Sequence, residues 1–141
     1  MFEPHVTLIG DINARPETSA DICREIFSGV GPIRAGVASV ERSDAWFMSL
    51  YLNVSLHPNL KRSVDMLSTM LFGHASSPFR PHISLAYGPL PGAEITDEVT
   101  ELIDYFIDSE ILLDRLVIAH SAKALPVDSW TTLYEVQISG T

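Results

Sequence analysis

The pentapeptide Pro4-His5-Val6-Thr7-Leu8 recurs later in the same chain as Pro81-His82-Ile83-Ser84-Leu85. Position by position the chemistry repeats: a histidine, a β-branched apolar residue, a hydroxyl residue and a leucine. Each copy reads as a strand, ended by Gly10 in one case and Gly88 in the other. Side chains alternate between the faces of a strand, so His5 and Thr7 project together while Val6 and Leu8 point the other way; His82 and Ser84 pair likewise. If the copies lie on neighbouring or symmetry-related strands, two imidazoles and two hydroxyls line one cleft. An imidazole titrates near neutrality, so one can take a proton from water while the other gives one to a leaving oxygen. Hydroxyls donate hydrogen bonds to non-bridging phosphate oxygens, and an imidazolium adds positive charge where negative charge develops. Together these groups suit opening of a cyclic phosphodiester. That chemistry requires the imidazoles to face each other about 5 to 8 Å apart, the span of a bound phosphate. One His-x-Thr triplet carries almost no information; the matched pair, separated by a helix–hairpin–helix unit, is what carries the reading.

In their wider context, Pro-His-Val-Thr-Leu-Ile-Gly at 4–10 and Phe-Arg-Pro-His-Ile-Ser-Leu-Ala-Tyr-Gly at 79–88 resemble the paired motifs of the two-histidine (2H) phosphoesterase superfamily. Within it they look most like the cyclic phosphodiesterase-like group, and the resemblance covers essentially the whole chain. It implies a two-lobed α+β fold of mainly antiparallel sheets with flanking helices. It also implies hydrolysis of a cyclic phosphate on a nucleotide or ribose, such as ADP-ribose 1″,2″-cyclic phosphate or nucleoside 2′,3′-cyclic phosphates, to a monoester. His5 and His82 carry over as the acid–base pair, Thr7 and Ser84 as phosphate binders, and Tyr87 as a further phosphate contact. Strict alternation sets Tyr87 on the face opposite His82, so it reaches the site only if the strand twists or bulges at its end. No cofactor and no metal are implied. Which histidine acts as base is left open. Family members usually have a further strand and helix before the first motif, whereas Met1 lies four residues ahead of His5. A chain beginning there lacks that strand and helix, and its uncovered sheet edge would pair with another chain. The expectation is therefore a monomer, or a dimer if that segment is truly absent.

Other residues invite blander readings. His57, His74 and His120 share no metal-ligand spacing and read as surface or capping histidines. A zinc site at His5 and His82 is disfavoured, because no carboxylate or third histidine repeats beside them. Trp46, Phe47, Tyr51 and Trp130 could stack a base or sugar at the cleft mouth, although core packing is the commoner role for such aromatics. Arg80 and Lys123 either attract an anion or are simply exposed.

The elements that must position these groups follow from periodicity. Ile22, Cys23, Ile26, Phe27 and Val30 form a stripe on a helix opening near Pro16 to Ser19 and stopped by Gly29 and Gly31-Pro32. Ile33, Ala35 and Val37, then Trp46, Met48, Leu50, Leu52 and Val54, alternate as two strands of a hairpin with a tight turn at Ser43-Asp44. Leu60, Val64, Leu67 and Leu71 mark a second helix over 58–72 with Gly73 as its stop. A short strand spans 82–87. Thr96 caps a third helix that buries Val99, Leu102, Ile103 and Phe106 and stops near Asp108. One strand runs from Ile111 to His120, and Thr132, Tyr134, Val136 and Ile138 alternate in a last one. Hairpins and returns dominate this order, which points to α+β with mainly antiparallel sheet in a single domain over 1–141.

The bulk properties agree. A chain of 141 residues, 46% hydrophobic and 19% charged, is globular and of one-domain size. Eighteen acidic residues against nine basic give a net charge of −9, which argues against extended nucleic acid or an anionic membrane as partner and leaves a small nucleotide as the expected one. That charge also weighs against a rival reading, an enzyme acting on the 2′,3′-cyclic end or 2′-phosphodiester of RNA. A further rival is a non-catalytic relative that keeps the fold and a phosphate pocket. The single cysteine, Cys23, excludes an intrachain disulfide and suits a reducing compartment. With no apolar run near the roughly 18 residues of a membrane span and no basic-then-apolar leader, the cytoplasm is the expected address.

Overall fold

Pro16 fixes the backbone angle that a first helical turn needs, and α1 runs over Pro16–Phe27 with Ser19, Ala20, Cys23 and Phe27 buried. The computed structural model describes residues 3–75, 80–86, 96–121 and 124–138. β1 (Ile33–Arg42) and β2 (Leu50–Leu56) pair antiparallel as the hairpin expected from alternation. Their connection is not a tight turn, however. Trp46 to Met48 form a 3₁₀ turn rather than strand, and Trp46 is half exposed rather than packed in the core. α2 (Pro58–Phe72) begins with a proline in its first turn and ends at Gly73, which takes φ 82° and donates its N–H to the Thr69 carbonyl at 2.8 Å. That left-handed stop is one that a side chain with a Cβ would resist.

β3 (His82–Ala86) pairs with β2, and β4 (Glu110–Leu113) pairs with β1, giving a four-stranded antiparallel sheet in the order β3-β2-β1-β4. β5 (Arg115–His120) and β6 (Thr131–Gln137) form a second, two-stranded sheet. The apolar run read as one strand is therefore two strands in different sheets, with only Asp114 between them. The inward side is taken by Ile111 and Leu113 in β4 but by Leu116 and Ile118 in β5, so the alternation slips by one residue at Asp114. The Asp114 carbonyl accepts the Ile138 N–H at 2.8 Å, which holds the crossover. α3 (Thr96–Phe106) lies against the larger sheet through Ile103 and Phe106. Val99 and Leu102, also expected on its buried side, lie outside the described side chains.

Three apolar clusters hold these parts. Ala35, Val37, Val40, Leu50, Leu52, Val54 and Ile83 form the core of the larger sheet. Ala20, Cys23, Leu67 and Val136 pack α1 and α2 onto the smaller one. Between them, Phe27, Ile33, Leu60, Val64 and Ile138 join residues from both, with Leu8, Leu113 and Leu116 at the margin. No described helix is long and apolar enough to cross a membrane. Leu52 is 2% exposed at the centre of the larger sheet. Leu52→Ala is expected to lower unfolding free energy by about 2 to 5 kcal/mol, read from urea denaturation midpoints. Burial pushes the Cys23 thiol above its ordinary value of 9.0, with Arg24 pulling it partly back. A raised folded value means that stability from this group holds at lower pH and is lost as pH rises past about 9. At pH 8 the native thiol should react with Ellman's reagent only at the rate of unfolding, and at once in denaturant.

Candidate active site

One backbone contact brings the two pentapeptides together: Val6 forms an isolated antiparallel bridge with Ile83. The first motif does not extend into a named strand as expected; this bridge is its sheet contact. Val6 and Ile83 turn inward, Ile83 buried at 6% exposure and Val6 packed on the same core. The residues that flank them therefore face the opposite way. An antiparallel register continued one residue to either side of that single bridge would set His5 beside Ser84 and Thr7 beside His82. In that register the two imidazoles would be diagonal neighbours, for which separations of about 7 to 8 Å are usual, somewhat less between Cβ atoms. His5, His82 and Ser84 are half-buried and Thr7 is exposed, as groups that meet a solvent-borne ligand must be.

Each ring is held in the same way. His5 Nδ1 donates to the Glu3 carbonyl at 2.8 Å, and His82 Nδ1 donates to the Arg80 carbonyl at 3.0 Å, in both cases two residues back along the chain. A carbonyl can only accept, so Nδ1 carries the proton in the neutral ring, and Nε2 is the atom that exchanges protons in chemistry. Each ring also has an aromatic neighbour. Trp130 lies 6.4 Å from His5 between ring centroids, and Tyr51 meets His82 edge-on at 5.8 Å. These two of the four candidate stacking residues reach the histidines; Trp46 sits on the 3₁₀ turn, and the Phe47 side chain lies outside the described ones.

Positioning of the first motif draws on both sheets. While Val6 binds it to β3, Glu3 pairs with Arg115 at the start of β5. Arg115 also lies 3.3 Å from Glu135 and 4.0 Å from Asp114. Such a partly exposed network contributes little stability, but it fixes the residue whose carbonyl orients His5. On the second motif, the Pro81 carbonyl accepts the Val54 N–H at 3.2 Å, which fixes the strand just ahead of His82. Sequence reading missed Glu3 and Arg115 because their pairing spans most of the chain.

The remaining candidates sort simply. Tyr87 and Lys123 lie outside the described residues. Arg80 is exposed beside the second motif. His57 caps α2, its Nδ1 accepting the Asn59 N–H at 3.2 Å, and the His74 ring bonds to the Ala75 carbonyl at 2.9 Å. Among the described residues, no three His, Cys, Asp or Glu side chains gather as a metal-holding group.

The common Nδ1 tether has a spectroscopic consequence. Long-range proton–nitrogen correlation of the neutral protein should show both His5 and His82 as Nδ1–H tautomers with unprotonated Nε2, the minority form of free histidine in water. Finding Nε2–H on either ring would remove the tether as its orienting interaction.

No family model matches the chain, and no curated protein matches it. Among solved structures, it is similar to the protein TT0787 of Thermus thermophilus, with a TM-score of 0.59 and 19% identity over 97% of this chain and 79% of that one. At that identity the likeness is one of fold: this α+β arrangement of antiparallel sheets and helices is shared with a solved bacterial protein.

Proposed function

We propose that this chain hydrolyses a cyclic phosphodiester on a nucleotide or ribose to a phosphomonoester, using His5 and His82 as an acid–base pair without a metal ion. The observation that carries the reading is the antiparallel Val6–Ile83 contact, which joins the two motifs through their apolar residues; continued to either side, that register would set each imidazole beside the other motif's hydroxyl. The repeated Nδ1 tether supports it, because in both neutral rings Nε2 is then the nitrogen that can take up a proton. Resemblance of both motifs to those of the two-histidine phosphoesterases, and of the cyclic phosphodiesterase-like group in particular, supports it independently.

In this reaction water attacks phosphorus in line with the oxygen that leaves. One Nε2 takes the water proton as the new P–O bond forms; the opposite imidazolium gives its proton to the departing ribose oxygen as the old P–O bond breaks. Thr7 and Ser84 donate to the non-bridging oxygens, whose charge rises toward the transition state. Tyr87 adds a contact if the end of the second strand turns it inward. The ring opens, a monoester forms, and the two histidines have exchanged protonation states.

Phosphorus NMR of the protein with EDTA and a panel of ADP-ribose 1″,2″-cyclic phosphate and nucleoside 2′,3′-cyclic phosphates tests activity, metal need and regiochemistry together. The cyclic resonance should give way to one monoester. His5→Ala and His82→Ala should each lower kcat by about 10² to 10⁴. Unchanged turnover in both variants would remove the catalytic assignment, and nucleotide binding with no ring opening would identify a non-catalytic relative.

A further inference from the structure

The registers of four neighbouring segments define two rows of side chains across the outward face of the larger sheet. Ser84 is opposite Tyr51, and Tyr51 is opposite Glu41; His82 is opposite Asn53, and Asn53 is opposite Ser39. Extended through the Val6–Ile83 bridge, one row reads His5, Ser84, Tyr51, Glu41 and the other Thr7, His82, Asn53, Ser39. Leu50, Leu52 and Val54, the alternate residues of β2, are buried on the other face. Half of this grid is the square of imidazoles and hydroxyls assigned to phosphate. The other half consists of a phenol, an amide, a hydroxyl and a carboxylate, and carries no cation.

Three of those four groups are joined by hydrogen bonds. Asn53 Nδ2 donates to Ser39 Oγ at 3.0 Å and to the Glu41 carboxylate, so its amide nitrogen is turned toward β1. Its Oδ1 keeps its acceptor capacity, and the backbone of Asn53 is paired with His82 on the other side. Strands lie about 4.8 Å apart, so Tyr51 and Asn53 stand one spacing from the second motif and Glu41 about 10 Å from it. This is the reach of the sugar and base attached to a bound cyclic phosphate. On the opposite flank stands Trp130, against His5.

Resting on the phosphodiesterase reading, we infer that Tyr51, Asn53, Ser39 and Glu41 form the subsite for the body of the substrate and select an uncharged nucleoside over one carrying a second phosphate. Asn53 Oδ1 and the Glu41 carboxylate accept hydrogen bonds from hydroxyl or amino groups, and Tyr51 offers a ring face or edge. A second phosphate here would meet a carboxylate and acceptor oxygens, an arrangement that rejects it through like charge and unmatched acceptors. The preferred substrate class is therefore the nucleoside 2′,3′-cyclic monophosphate rather than a diphosphate-linked ribose cyclic phosphate.

The test compares kcat/KM for adenosine 2′,3′-cyclic phosphate and for the same compound bearing a 5′-phosphate, in the native protein, Glu41→Gln and Glu41→Lys. Glu41 is exposed, and Gln keeps an acceptor for Asn53, so both variants should fold, which a thermal melt checks. The native protein should favour the unphosphorylated compound by about 10-fold or more. Gln should narrow that preference several-fold, and Lys should narrow it further or reverse it. Active protein whose preference is the same in all three forms overturns the subsite while leaving the phosphodiesterase reading intact. Failure of the native protein to open either ring overturns the phosphodiesterase reading itself and the subsite with it.

Discussion

The arrangement of the candidate site depends on the bridge between Val6 and Ile83. Both residues are apolar and both turn into the core of the larger sheet, so the hydrophobic effect that buries them also fixes which neighbours face out. Since β geometry has a period of two, a slip of one residue in the first motif would turn His5 and Thr7 inward, and a slip in β3 would do the same to His82 and Ser84. Specification of the polar face is thus inherited from specification of the apolar one. The tethers from each Nδ1 to a backbone carbonyl then reduce each ring to a single orientation, using only the local chain.

Around this centre the two sheets have different tasks. The larger sheet supplies the second motif and the grid of polar residues beside it. The smaller supplies Arg115, whose acidic partners include Glu3, the residue just ahead of the first motif. The first motif accordingly sits where the sheets meet, tied to β3 by a backbone bridge and to β5 by an ion pair. The crossover at Asp114 uses little chain, because Leu113 and Arg115, on either side of that one residue, belong to different sheets. The apolar cluster of Phe27, Ile33, Leu60, Val64 and Ile138 then keeps the two sheets together.

Much of the framework was legible along the chain. α1 and α2 followed from helical spacing and from Pro16, Pro58 and Gly73, which act through local backbone geometry and need no tertiary context. Alternation in β1, β2 and β6 was visible for the same reason. Where local pattern and pairing diverge, the chain misled. The continuous apolar run through Leu113 and Leu116 hid the change of sheet at Asp114, although the half-period slip in its inward residues was present. Alternation through Trp46 and Met48 suggested strand, but that stretch turns as a 3₁₀ segment and begins to pair only at Leu50. The outward partners of the hairpin, Ser39, Glu41, Tyr51 and Asn53, are an unremarkable polar set until the register aligns them with the second motif.

By itself, then, the sequence determined that one pentapeptide pattern, an imidazole and a hydroxyl two residues apart, occurs twice, and that in β3 the two project from one side, because side-chain alternation is a property of the single strand. It also determined the α+β class and most element limits. Only the tertiary structure decided that Val6 of the first motif bridges Ile83 of the second antiparallel, and that Arg115 reaches Glu3. Those relations join residues far apart in the chain. They arise from long-range pairing and shared burial, which no local pattern encodes.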